Sequence, residues 1–170
     1  MGLTVRRVGA VLVVLALAAG WAAAETRVEL RLPDLDGRMH DIAQHRGKWV
    51  VINYWATWCP PCIHEIPELA AFHSRHADDD AVVVGVNIES LDDATLRDFV
   101  EELGVNYPIL REDPERVSPL GRLFGLPTSY IVGPDGRLVT RHNGPVTAAQ
   151  LEALIGAPGV EPASRGATRI

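Results

Sequence analysis

Cysteine is scarce in this sequence: 170 residues contain two, Cys59 and Cys62. A chain of this length buries a core without disulfide staples, and a ring closed by two cysteines three positions apart removes little chain entropy, so the pair is not a scaffold. No second pair exists, whereas structural zinc wants four ligands, usually in two spaced pairs. Ile63 stands where a Cys-x-x-Cys-His haem attachment needs histidine, which excludes that reading. Basic excess is also missing. With 16 Lys and Arg against 22 Asp and Glu the net charge is −6, which argues against nucleic acid and against an anionic membrane face as partners. Neither internal repeats nor a second domain can be traced.

The N-terminus holds the one long uncharged run. Arg6 and Arg7 precede 17 uncharged residues, 8–24, rich in Val, Leu and Ala and ending in Ala22, Ala23 and Ala24. A positive start, an apolar middle and small residues at the end read as a signal peptide over 1–24, cleaved before Glu25. The alternative is an uncleaved membrane anchor, for which this run is at the short end. No cysteine follows the run, so a lipid-bearing thioether is not available. Removing 24 of 170 residues leaves 146, the size of one ordinary domain, and losing Arg6 and Arg7 takes the charge from −6 to −8. Export to a periplasmic or other extracytoplasmic space is the expectation. There, a lone Cys-x-x-Cys is better suited to cycling with partners than to bracing a fold.

Along the mature chain, Val28, Leu30 and Leu32 alternate with charged residues, which predicts a half-exposed strand closed by a turn at 33–37. Residues 49–52 and 81–88 are continuous apolar runs, the pattern of strands buried on both faces. Between them Ile66, Leu69, Ala70 and His73 fall at helical spacing with Cys62, so a helix runs to about Arg75, with Pro67 expected to kink it. Asp78, Asp79 and Asp80 read as a solvated turn. Residues 92–103 form a helix closed by Gly104, residues 107–110 a short strand and residues 117–124 a short helix. Residues 126–132 and 138–141 flank Pro134, Asp135 and Gly136 as a β-hairpin, and Thr147 caps a last helix to Ile155 with Gln150 three residues on. The tail, 157–170, is expected to be disordered. Helices interleaved with buried strands, followed by a hairpin, imply an α/β domain over 25–156 with a mixed sheet covered on both faces.

The cysteines sit where the first buried strand runs into its helix, in Asn53-Tyr54-Trp55-Ala56-Thr57-Trp58-Cys59-Pro60-Pro61-Cys62. Two thiols at a helix start close into a small disulfide ring, and the first meets the positive end of the helix dipole, which favours thiolate chemistry. Pro60 and Pro61 lack amide protons, which removes donors that could reach the Cys59 sulfur. Dipole and lost donors pull the reduction potential in opposite directions. Cys59, Cys62 and His64 also lie close enough in sequence to raise a zinc or copper site as a rival.

These residues, together with Glu65, Pro67 and the stretch Gly125-Leu126-Pro127-Thr128, resemble the thioredoxin fold, and within it the TlpA/ResA-like class of exported thiol–disulfide oxidoreductases. The similarity spans about 29–155. It implies an α/β thioredoxin fold, a mixed central sheet flanked by helices, with a helix-plus-strand insertion at about 90–115. Asn53 stands where thioredoxin has a buried acid. By the resemblance, Cys59 is the exposed nucleophile, Cys62 resolves the mixed disulfide, and Glu65, one helical turn on, is the candidate base. Trp58, Pro60, Pro61, Leu126, Pro127 and Thr128 face the substrate, with Pro127 in the cis form. His64 is expected at the surface. A peroxidase site of the peroxiredoxin kind would need threonine at position 56, where Ala stands. The implied activity is reduction of specific protein disulfides, in cytochrome c maturation or copper-site assembly, by a monomer that needs no cofactor and is re-reduced by a membrane thiol carrier. The alternatives are a copper-binding metallochaperone of related fold, with His142 as a distant ligand, and a non-catalytic thioredoxin-like binding module.

Overall fold

Alternating and continuous apolar runs become strands, and runs of helical period become helices. In chain order these are β1 (Arg31–Pro33), β2 (Met39–Asp41), β3 (Trp49–Trp55), α1 (Pro60–His76), β4 (Ala81–Asn87), α2 (Asp93–Glu102), β5 (Ile109–Arg111), β6 (Thr128–Val132), β7 (Leu138–Asn143) and α3 (Ala148–Ile155). The computed structural model describes residues 27–115, 118 and 120–156. The expected leader at 1–24, the expected tail at 157–170 and Val117 lie outside the described residues.

Five strands form one mixed sheet in the order β5-β4-β3-β6-β7. β3 pairs in parallel with β4 from Trp49 opposite Ala81 to Trp55 opposite Asn87, which requires a crossover, and α1 supplies it. On its other side β3 runs antiparallel to β6, and β6 and β7 form the expected hairpin. All seven residues of β3 are buried. Successive side chains of a strand point to opposite faces, so Trp49, Val51 and Trp55 enter one core while Val50, Ile52 and Tyr54 enter another. Asn53 belongs to the first set and is the polar residue in it.

The two faces are covered by different means. All three α-helices pack on the first face, through Ile66, Leu69 and Phe72 of α1, Leu96 and Val100 of α2, and Ala148 and Leu151 of α3. The opposite face is covered by extended chain at Val28, Leu30 and Leu32 and by Ile42, which opens the short 3-10 helix Ile42–His45, with Leu120, Leu123 and Leu126 against them. This corrects the expected helix at 117–124. Among its described residues the chain makes one turn, Gly121 N–H to the Ser118 carbonyl at 2.9 Å, and Gly121 then takes φ 96°, a left-handed conformation that ends the turn. On α1 the inward face includes Phe72, while Ala70 and His73 are only half-buried, and the helix continues through Pro67 to His76. Thr147 and Gln150 form the anticipated reciprocal cap of α3.

Gly85 on β4 marks the tightest approach in the first core. A Cβ there would lie 2.7 Å from Ile109 Cδ1 and 3.2 Å from both Trp55 Nε1 and Tyr107 Cε2. The isoleucine end can move; the two rings cannot. Gly85→Val should therefore destabilise the fold by about 1–3 kcal/mol through overpacking, read as a lower urea midpoint with an unchanged slope.

Candidate active site

β3 ends at Trp55, and a turn with the Cys59 N–H on the Ala56 carbonyl at 3.2 Å leads into α1. Cys59 is the residue before the first helical turn, in extended conformation, with no side-chain cap bond, and Pro60 and Pro61 occupy the first two helical positions. Its carbonyl accepts from Cys62 N at 3.0 Å and Ile63 N at 3.2 Å. Cys59 and Cys62 are joined in a disulfide, their Cα atoms 5.3 Å apart.

Cys62 has no exposed surface and Cys59 only 3%. The exposed nucleophile expected from the sequence is thus nearly covered in the oxidised form. The bond holds its sulfur on the buried Cys62, and the exposed positions on either side go to Trp58, at 68%, and to Pro60 and Pro61. His64 is exposed, as expected.

Glu65 is only 2% exposed, on the inward face of α1 one turn beyond Cys62, so it is no solvated helix carboxylate. Its Oε1 accepts from Asn53 Nδ2 and its Oε2 from Val146 N, both at 2.8 Å. Asn53 Nδ2 also donates to Ser129 Oγ at 3.0 Å, which ties β6 to the same group. Burial pushes the Glu65 carboxyl up to about 7, against the smaller opposing effect of the Val146 and Asn53 donors. Tyr107 lies close enough to respond: burial first, then the Glu65 charge, drive its hydroxyl above the ordinary tyrosine range.

The Leu126–Pro127 peptide bond is cis, as the resemblance implied. Leu126 packs against the core that contains both cysteines, and Pro127 is buried. Thr128 is buried too. Its hydroxyl donates to the Gly125 carbonyl at 2.8 Å, so its side chain shapes the loop rather than facing outward.

Sequence reasoning missed one group at this site. Glu89, two residues past β4, reaches across to the turn before Cys59: its Oε2 accepts from Thr57 N at 2.6 Å and its Oε1 from Thr57 Oγ1 at 2.9 Å. Asn87 Nδ2 donates to the same carboxylate at 2.8 Å. The available signal was position, since groups just beyond the carboxyl ends of parallel strands line the ligand-facing edge of α/β sheets. Beside it lies an open groove of ≈ 430 Å³ lined by Trp58, Ile88, Glu89, Ser90, Leu91 and Pro114. Among the described residues no group of three or more His, Cys, Asp or Glu is placed to hold a metal ion, and His142 is half-buried on β7.

The arrangement, a two-cysteine ring at a helix start with a buried carboxyl behind it, can exchange a disulfide and move a proton. Comparison with known proteins agrees. The profile of the AhpC/TSA family matches residues 24–141. The thiol-disulfide oxidoreductase ResA of Halalkalibacterium halodurans is 28% identical over 133 residues, covering 78% of this chain and 75% of that protein. Among solved structures, a DsbF homologue from Corynebacterium diphtheriae matches with a TM-score of 0.68 and 28% identity over 76% of this chain and 83% of its own. A thiol:disulfide interchange protein from Chlorobium tepidum matches with a TM-score of 0.68 and 25% identity, over 77% and 94%. The chain belongs to the AhpC/TSA family, as a thioredoxin-fold thiol–disulfide oxidoreductase similar to ResA.

Proposed function

We propose that the protein is an exported reductant of specific protein disulfides. In this reading residues 1–24 direct export to the periplasm, 25–156 form the catalytic domain, and a membrane thiol carrier re-reduces the monomer. The substrates are oxidised cysteine pairs of apocytochrome c or of copper-site proteins. Support for the location comes from the apolar leader.

The asymmetry of the cysteine pair carries the reading. Cys62 has no exposed surface and Cys59, at the helix start beside the exposed Trp58 and Pro60, keeps 3%, which makes Cys59 the sulfur an incoming disulfide meets in this reading. The Cys59 thiolate attacks one substrate sulfur, forming a mixed disulfide and expelling a thiolate that takes a proton from solvent. Glu65 then accepts the Cys62 proton, and the Cys62 thiolate attacks Cys59 Sγ, which closes the protein disulfide and releases the second substrate thiolate. Two electrons pass from the dithiol to the substrate. A carboxyl held near 7 is matched to this proton transfer at neutral pH. Trp58, Pro60 and Pro61 are the exposed contacts around the sulfurs, and the Leu126 backbone, just before the cis Pro127, is offered to an extended substrate segment, while Thr128 is paired on both sides within the sheet and supports that loop.

Reduced protein mixed with an oxidised Cys-x-x-Cys-His peptide should reduce one equivalent of the peptide disulfide and itself become oxidised, and Cys59→Ala should reduce none. Absence of exchange, or exchange unchanged in Cys59→Ala, would return the protein to a non-catalytic binding module.

Glu65 yields a second expectation, in stability. Its folded-state value of about 7 lies above the ordinary 4.5, so the folded protein holds this proton more tightly than the unfolded chain. The stabilisation is complete below about 4.5 and is lost as pH rises through about 7. Chemical denaturation of the oxidised protein across that range should show the decline, and Glu65→Gln should flatten it. In the reduced protein the same substitution should shift the pH dependence of Cys59 alkylation; superimposable curves would remove Glu65 from the chemistry.

A further inference from the structure

How reducing a Cys-x-x-Cys pair is depends on how well its reduced form is stabilised, and a well-stabilised thiolate makes an oxidant. A helix start ordinarily supplies that stabilisation through its unpaired N–H groups. Here the supply is withdrawn. Pro60 and Pro61 have no N–H, and the next two amides, of Cys62 and Ile63, both donate to the Cys59 carbonyl. The Cys59 N–H is spent on Ala56. Thr57 holds two more donors, and the Glu89 carboxylate takes both, at 2.6 and 2.9 Å.

Glu89 also brings a negative charge to the turn that carries Cys59. Asn87 orients it, donating to its Oε2 at 2.8 Å and accepting from its backbone N at 3.2 Å. Arg111 is bound to the main-chain carbonyls of Glu89 and Leu91, donates to Asn87 Oδ1 at 3.4 Å and lies 3.5 Å from Asp93 Oδ1, so its hydrogen bonds go to the backbone of this segment and to Asn87, and not to the Glu89 carboxylate. The charge is therefore fixed in place with neutral donors as its partners.

We infer that Glu89 is a positioning residue that denies stabilisation to the Cys59 thiolate and thereby sets the cysteine pair toward the reducing side. The inference rests on the reductant reading and supplies its direction, which the dipole and the two prolines alone leave open. It also gives the segment between β4 and β5 a part in the chemistry, since Asn87, Glu89 and Arg111 all belong to it or border it.

The test uses the full-length protein and two measurements. One is equilibration with a reduced and oxidised glutathione series, in which protein disulfide plus two glutathione thiols gives protein dithiol plus glutathione disulfide. The other is the pH dependence of Cys59 alkylation. Glu89→Gln should lower the pH at which alkylation rises and shift the equilibrium constant about tenfold toward the dithiol, about 30 mV for a two-electron couple. Glu89→Asp, which keeps the charge, should stay within about threefold of wild type. An unchanged constant and curve in Glu89→Gln overturns the inference, and so does a shift in Glu89→Asp as large as that in Glu89→Gln, because geometry alone would then account for it. If the wild-type protein equilibrates as a strong oxidant while Glu89→Gln still shifts as stated, the reductant reading fails and the role of Glu89 stands.

Discussion

The active site depends on a carboxyl that has been taken out of water. Glu65 lies where α1 meets β3 and the start of α3, and both of its oxygens are satisfied, by Asn53 and by the Val146 amide. An isolated ionised carboxylate in such a place costs far more than the fold can offset, so the group raises its proton affinity instead. Its partners place demands on three other elements. Asn53 must replace an apolar residue on the helix-facing side of β3, Ser129 of β6 must share the amide, and the chain before α3 must come close enough to present the Val146 N–H. Glu68, three residues on along α1 and itself exposed, accepts the Ala148 amide at 2.9 Å. The helix that carries the cysteines is thus fixed to the sheet and to α3 by polar contacts as well as by Ile66, Leu69 and Phe72.

Two carboxyls are held near the cysteine pair, one by burial and one by hydrogen bonds to the turn before Cys59. Glu65 is buried on the inward face of α1 one turn beyond Cys62, and burial raises its proton affinity. Glu89 sits at the half-buried edge, fixed on Thr57, and acts through charge and through the donors it occupies. In the proposed mechanism the first serves the resolving step and the second biases the nucleophile. Chain order places Glu65 one turn from Cys62 but does not reveal its partners, since Val146 is 81 positions from Glu65, and it does not reveal Glu89, which is 32 positions from Thr57.

Much of the fold was legible because burial writes a period into the chain. The apolar runs at 49–52 and 81–88 became β3 and β4, the hairpin formed around its Pro-Asp-Gly turn, and Thr147 capped α3 with Gln150. The segment 118–124 was not legible. Leu120 and Leu123 have helical spacing, yet they lie against the sheet as loop, because Gly121 adopts a left-handed conformation that spacing cannot report. The short strands β1 and β2 were only half visible, since their pairing is with each other across a turn and much of their surface is exposed.

What the sequence by itself determined was the chemistry available: two thiols three residues apart at a helix start, prolines without donors beside them, and a glutamate one turn on. Local rules suffice for these, because helix periodicity and proline stereochemistry act within a few residues. Tertiary structure decided the state of each group. Folding buried Cys62 completely and left Cys59 3% exposed, turned Glu65 from a helix-surface carboxylate into a buried carboxyl of raised proton affinity, and brought Glu89 to Thr57 from beyond the end of β4. Desolvation and long-range hydrogen bonding depend on what packs overhead, and that is fixed only when the sheet has formed.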